Sequence, residues 1–561
     1  MQTRRLLAGI LVLGTVVLAS CSSSNKEGRY VPKSAALVVH VDGKDLSAKL
    51  PWDSVKSNPF VKDVLADSTV PSVLRSLLDN PENSGIDTKN DLLFFAVKDS
   101  VGAYAAFQGT VKDEAKFEAF HKNFQATAAI EKKDGFSTIN LKDVVGAWKD
   151  GKFIYVVDAP QFAKLDEVTR SLMDGMNDSA DATQAMQPRD LRATAISIFK
   201  LNEDATLADE KKFTTLVDDA GEIHFWMNAE ELNKGMATNP AMAMFNLDKL
   251  YKGAITTATL LFDNGKISLK SRSYASKELT DIYKKYSGGN VNEDMLKSIA
   301  GKDPVALFAL NYKPAGLPEL IKLTNLDGLL NIGLAALGFT TEDFVKANKG
   351  DLVFGVTDLT TPKPDTTGGM SPFPKPEFNM VFGVSIGDAA SFEKLMAAAK
   401  KATANDWDSS FASIAKNDKF FAISNKQSVA NDFVAGKANP NMEAAIKKIA
   451  GNSFGGYFNI KALLRGFESE ASRDSTGKLI YDLSMKTWED VIMTSGGMDG
   501  DAMVQLVEIN LSEKNTNSAI QLNRYINAVS AIAKEEQKRR EEAYRQMEDE
   551  VTIPVIEGSK N

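Results

Sequence analysis

Apolar residues arrive in short runs separated by turn-forming pairs, the pattern of hairpins with single helices between them. Ala36-Leu37-Val38-Val39-His40-Val41 is rich in β-branched residues and of strand length. Runs at 92–97 and 103–110 pair across Asp99-Ser100-Val101-Gly102, and 113–124 has helical spacing. Strands at 145–149 and 153–158 meet at Asp150-Gly151, and those at 255–262 and 266–273 at Asn264-Gly265. Both dipeptides supply the backbone that a two-residue hairpin needs. Runs at 194–201 and 222–228 read as further strands. Between 58 and 80 the spacing is helical, broken by Pro71. Leu279, Ile282, Tyr283 and Tyr286 form the stripe of a helix that closes this half.

The same order then restarts. Ala306-Leu307-Phe308-Ala309-Leu310-Asn311 reads like Ala36 to Val41, and 351–359 with 378–386 reads like the pair at 92 and 103. A helix at 389–400, a turn at Asn417-Asp418, a strand through Tyr457-Phe458-Asn459 and a hairpin at Asp499-Gly500 follow in sequence. Leu522, Tyr525, Ile526 and Val529 repeat the closing stripe. The expected fold is α+β: two diverged copies, 30–289 and 290–533, of a largely antiparallel sheet unit with helices packed on one face. Copy two adds a Pro-rich hairpin loop at 360–376, where Met370 and Phe373 are apolar groups with little to bury them. Its last helix also runs on, so 534–561 reads as a charged helical extension and tail.

Composition adds location. Lys and Arg number 66 against 74 Asp and Glu, a net charge of −8, which gives no electrostatic footprint for nucleic acid. Arg4 and Arg5 precede an apolar run, Leu6 to Leu18, that is shorter than the roughly 20 residues of a spanning helix. It closes at Leu18-Ala19-Ser20-Cys21, the pattern of a bacterial lipoprotein signal; an ordinary secretory peptide is the competing reading. On the first reading 1–20 is removed, Cys21 is lipidated, 21–29 is a tether, and the membrane is a partner through the lipid anchor. Ser22 after the acylated residue resembles the sorting signal for the outer membrane, with the periplasmic or cell-surface side left open. Cys21 is the single cysteine, so stability rests on apolar cores rather than disulfides.

Tyr30-Val31-Pro32-Lys33-Ser34-Ala35 leading into the first strand, then Leu50-Pro51-Trp52-Asp53, resembles a family of large Bacteroidota lipoproteins catalogued as a domain of unknown function. The resemblance covers most of the chain after the signal. It implies a source and a location and carries over no catalytic residue.

Chemistry is sparse. His40, His121 and His224 lie far apart in different elements, so a metal site built from them would need distant strands to converge. His40 is expected as a hydrogen-bonded structural histidine, and alternation puts His224 and Trp226 on one face. No nucleophile elbow, phosphate loop or zinc motif occurs, and no catalytic residue, cofactor or metal is expected. Asp followed by Ser or Thr and then an aliphatic residue, Met or Thr resembles the acceptor for periplasmic O-glycosylation in Bacteroidota. It recurs at Ser54, Ser68, Ser100, Ser179, Thr366 and Ser475, although Asp-Ser pairs also serve as turns and caps. Two functions remain: a non-enzymatic envelope scaffold or binding module for a partner protein or glycan, or an envelope polysaccharide or peptide hydrolase using a carboxylate pair. A cleft between the copies holding two close carboxylates would favour the hydrolase, and a smooth groove the binding module.

Overall fold

The computed structural model describes residues 27–68, 72–159, 189–234, 246, 248–362, 375–402 and 413–550. The expected signal, Cys21, most of the expected tether, Ser179, Thr366, Met370 and Phe373 lie outside them. Among the described residues, eighteen strands form one antiparallel sheet. β1 (Ala35–Val41) lies between β2 (Leu92–Asp99) and β8 (Ile223–Asn228). Beyond β2 come β3 (Gly102–Thr110), β7 (Lys152–Asp158), β6 (Val144–Lys149), β5 (Phe136–Leu141) and β4 (Ile130–Lys133), the first open edge. Beyond β8 come β9 (Ile255–Asp263) and β10 (Lys266–Tyr274).

β10 then pairs along its whole length with β18 (Ala502–Leu511), from Lys266 opposite Asn510 to Tyr274 opposite Ala502. Past this seam run β17 (Trp488–Asp499), β16 (Phe454–Asn459), β11 (Pro304–Asn311), β12 (Asn348–Thr360), β13 (Glu377–Ile386), β15 (Phe420–Ser424) and β14 (Ser413–Lys416). Read outward from the seam, β9-β8-β1-β2-β3-β7-β6 and β17-β16-β11-β12-β13-β15-β14 correspond strand for strand. β4 and β5 are the one addition.

Three expectations change. Residues 194–201 are not a strand: Leu191–Phe199 is a helix, started by the Asp190 side chain accepting from the Ala193 N–H. Ala195 and Ile198, one turn apart, are its buried face, and in so short a run the cap outweighs the alternation of Ile196, Ser197 and Ile198. Helices also cover both faces of the sheet, not one. On β7, Ile154 and Val156 pack with the helices Leu191–Phe199 and Lys211–Val217, while Phe153 and Tyr155 pack with Phe117 of Glu114–Phe124 on the opposite face. On β15, Ala422 packs with the helices Gln427–Val434 and Glu443–Ile449, and Phe421 with Phe392 of Ala389–Ala402 on the other side. Strands apolar on both faces need a layer on each.

The third change is one of register. Leu307 and Ala309 of β11 point into the same core layer that Val38 and His40 of β1 occupy in their half, one residue off the match suggested by the runs themselves. An apolar run without alternation does not mark which face each residue takes. Among the described residues no helix is long and apolar enough to cross a membrane.

Candidate functional site

The helix Lys277–Tyr286 leaves β10, capped where the Ser276 hydroxyl accepts from the Leu279 N–H. It packs beside the helix Gly316–Leu323, which follows β11 in the other half. Leu279 and Thr280 are buried, while Ile282, Tyr283 and Tyr286 line a cleft of about 860 Å³. Leu317 and Leu320 face them, and Ser495, Met498, Met503 and Gln505 come from β17 and β18. That volume is in the range of small-ligand sites.

Small residues set the close approach. A Cβ on Gly316 would lie 2.7 Å from Tyr286 Cβ, and one on Gly288 would overlap the Asn311 carbonyl oxygen. Several polar groups of the wall are already oriented. The Gly289 N–H donates to Asn311 Oδ1 at 2.6 Å, and Asn311 Nδ2 donates to Asp351 Oδ1 at 2.7 Å. Ser495 Oγ accepts from the Phe454 N–H at 3.1 Å and lies 3.0 Å from Ser453 Oγ. Among the described residues that line the cleft there is no carboxylate and no imidazole, and Lys313 is the one charged side chain. The site can stack, hydrogen-bond and exclude water.

The corresponding place at the other junction is filled. There Phe262, Ile267 and Ala519 are buried with Leu46, Leu50, Leu260 and Leu522 packed on them. Register identifies the counterparts: Ile267 opposite Phe262 and Leu269 opposite Leu260 answer to Met503 opposite Met498 and Gln505 opposite Ser495. Two leucines in one half are thus a serine and a glutamine in the other. A second concavity, an apolar trough of about 390 Å³, runs over the face of β1, β2, β3 and β7 past Leu37, Val39, Phe94, Phe107 and Tyr155.

The residues singled out from sequence do not converge on the cleft. Ser68 and Ser100 are exposed, and Ser54 is half-buried in the helix Trp52–Lys56. Ser475 opens the helix Ser475–Thr487 and accepts from Arg539 Nη1 at 3.1 Å. The aspartates before two of these serines have structural work. Asp99 accepts from the Val101 and Gly102 N–H groups, and Asp474 caps at Gly477. His121 is buried, its Nδ1 2.6 Å from the Phe117 carbonyl and its Nε2 2.6 Å from the Tyr155 hydroxyl; burial pushes its pKa down. His40 and His224, expected to be apart, meet with Nδ1 atoms 3.0 Å apart. Among the described residues no group of three or more His, Cys, Asp or Glu is placed to hold a metal ion. Tyr283 and Tyr286 were legible as a helix stripe, but nothing local distinguishes a stripe that lines a cleft from one that enters a core.

No curated protein matches this chain. Among solved structures, crystal form IV of TP0453 is 7% identical over 47% of this chain and 87% of its own, with a TM-score of 0.23. Crystal form III is 6% identical over 48% and 90%, with a TM-score of 0.24. The model of a family described as a domain of unknown function, DUF4836, matches residues 30–326, and with the match spanning over half its length the chain belongs to that family.

Proposed function

We propose that this protein is a non-enzymatic cell-envelope lipoprotein, a duplicated binding module whose cleft at the β10–β18 seam takes a neutral glycan. The observation that carries the reading is the exchange of Leu260, packed in the closed junction, and Leu269 opposite it in register for Ser495 and Gln505 at the open one. Leaving a core-like position open and polar sacrifices apolar burial, worth about 25 cal/mol per Å². A site that binds something offsets that loss. Tyr283 and Tyr286 offer aromatic faces to sugar rings, and Asn311, Asn452, Ser453 and Gln505 offer amides and hydroxyls to sugar hydroxyls. The strand-for-strand correspondence across the seam favours an internal duplication as the origin of the two halves.

The anchor belongs to the same reading: Cys21, after the Leu18-Ala19-Ser20 site, holds the body at the outer membrane of a Bacteroidota-type envelope. Cys21→Ser is expected to move the protein from the membrane to the soluble fraction; a variant that still floats with membranes would remove the anchor. For the cleft, the test is titration with neutral oligosaccharides released from bacterial surface polysaccharide, followed by tryptophan fluorescence and calorimetry. Tyr286→Ala is expected to weaken binding at least tenfold with melting little changed. Failure of every neutral glycan to bind the parent protein would overturn the glycan.

A further inference from the structure

We propose that His40 and His224 share a single proton and form an acid-sensitive latch between β1 and β8. The two residues stand directly opposite each other in the β1–β8 register, 184 positions apart in the chain, and are 3% and 2% exposed. Their Nδ1 atoms are 3.0 Å apart. Each outer nitrogen faces a group that only accepts. His224 Nε2 is 2.9 Å from the Asp219 carbonyl oxygen, and His40 Nε2 is 3.2 Å from Asp91 Oδ1, within ion-pair reach though off the line of a hydrogen bond. Both outer nitrogens therefore carry protons.

If both rings were neutral, two lone pairs would oppose each other across the 3.0 Å gap. If both were charged, two N–H groups would. One proton in the gap removes both conflicts: His40, ion-paired with the Asp91 carboxylate, donates through Nδ1 to neutral His224. Burial pushes the His224 pKa down, and the pairing with His40 holds Asp91 below the usual carboxylate range.

The surrounding charges come from every neighbouring element. Asp91 precedes β2, Asp42 follows β1, and Asp218 and Asp219 precede β8, with the Asp219 carboxylate held by Arg272 of β10. Lys152 of β7 faces Asp91, and Glu27 of the incoming chain, raised by burial beside Asp91, completes the set. Lys49 and Glu222 pair with each other at the β8 entrance.

The fold does not require this arrangement. In the other half the counterpart pair, matched by register, is Ala309 opposite Gly455, with Ile449 filling the space over Gly455. Hydrocarbon serves there, so the histidines are a specific addition to one half. The sign of the response follows. Below about pH 6.5 both unfolded histidines take protons while the folded pair holds one, so stability is lost as pH falls through that window. Above it the unfolded pair releases the proton the folded pair keeps, so stability is also lost as pH rises.

The experiment is thermal and urea unfolding of the full chain from pH 5 to 8, for the parent and for His40→Leu with His224→Leu. Replacing both partners leaves no orphaned donor. His121 contributes equally to both proteins and cancels. The parent's unfolding constant is expected to rise, relative to the double variant, by up to about tenfold per pH unit below 6.5. Imidazole ¹⁵N spectra of the parent at pH 7 are expected to show one charged and one neutral ring, and they carry the test if the double variant does not fold. Equal pH slopes, or two neutral rings at pH 7, would overturn the latch. Zinc that raises the melting point of the parent and not of the double variant would overturn it too, by placing a metal where the proton is assigned.

Discussion

A methyl group on residue 288 would overlap the carbonyl oxygen of Asn311, so Gly288 fixes how closely the linker between the halves approaches the cleft wall. Gly288→Ala is expected to cost about 1–3 kcal/mol, the usual range for overpacking, read as a drop in the urea midpoint with an unchanged slope. Charge works at the same scale on the far side of the molecule. Arg189 donates to both oxygens of Asp99, at 2.7 and 2.8 Å, and to Asp158 at 3.3 Å, with its guanidinium over Tyr104. That hydrogen bonding holds the Asp99 pKa down, so its stabilisation is present above about pH 4 and lost as pH falls through the folded value. Asp99 is about a third exposed, which screens the pair; Asp99→Asn should cost about 1 kcal/mol at pH 7 and flatten the acid limb of the stability curve. A parallel acid limb in the variant would assign that loss to other carboxylates. None of this was legible in sequence. His40 reads as a core histidine and Asp99 as a turn residue until strands far apart in the chain are laid side by side.

Hairpins were the most legible elements, because Asp150-Gly151 and Asn264-Gly265 act over a few residues. Asp150 and Gly151 both take positive φ in the turn. The helix at 191–199 was lost to a short alternation, and β4 with β5 was missed because Lys132, Lys133, Asp134 and Gly135 break the apolar pattern. The terminal helix Ser518–Glu550 is continuous, as its spacing implied, but its function as an element changes along its length. Leu522 packs in the closed junction, and Tyr525 meets Trp488 edge to face with its hydroxyl 2.9 Å from the Ser484 hydroxyl. Past Ala533 the contacts are polar: Lys534 with Asp63 at 2.5 Å and Glu536 with the Thr476 hydroxyl at 2.7 Å. Beyond Arg540 the described side chains are exposed, Tyr544 and Met547 among them. Truncation after Arg540 is expected to shift the melting temperature by no more than about 1–2 °C, since exposed ion pairs contribute about 0–1 kcal/mol. A larger loss in calorimetry would show the end of the helix docked on the body.

At the scale of the whole molecule, the repeated order of runs led to an expectation of two copies, but nothing in it announced one continuous sheet. The seam pairs β10 with β18, each the last strand of its half, and such long-range pairing leaves no local mark. Strand order on the two sides of the seam matches, with one junction filled and one open, so side chains rather than strand order distinguish the open cleft. That can be tested by exchange. Ser495→Leu with Gln505→Leu installs the residue types of the closed junction, Leu260 and Leu269, in the open one. The double variant should fold and be at least as stable as the parent, with glycan binding reduced at least tenfold. The reverse exchange, Leu260→Ser with Leu269→Gln, should destabilise by less than the roughly 2–5 kcal/mol typical of one fully buried leucine side chain, since both leucines are half-buried. Leu260 packs against Phe262, Ile267 and Ala519. Urea unfolding of both variants gives the comparison. If filling the open cleft destabilises the protein as much as emptying the closed junction does, its polar lining supports the fold and the cleft is not kept open for a ligand.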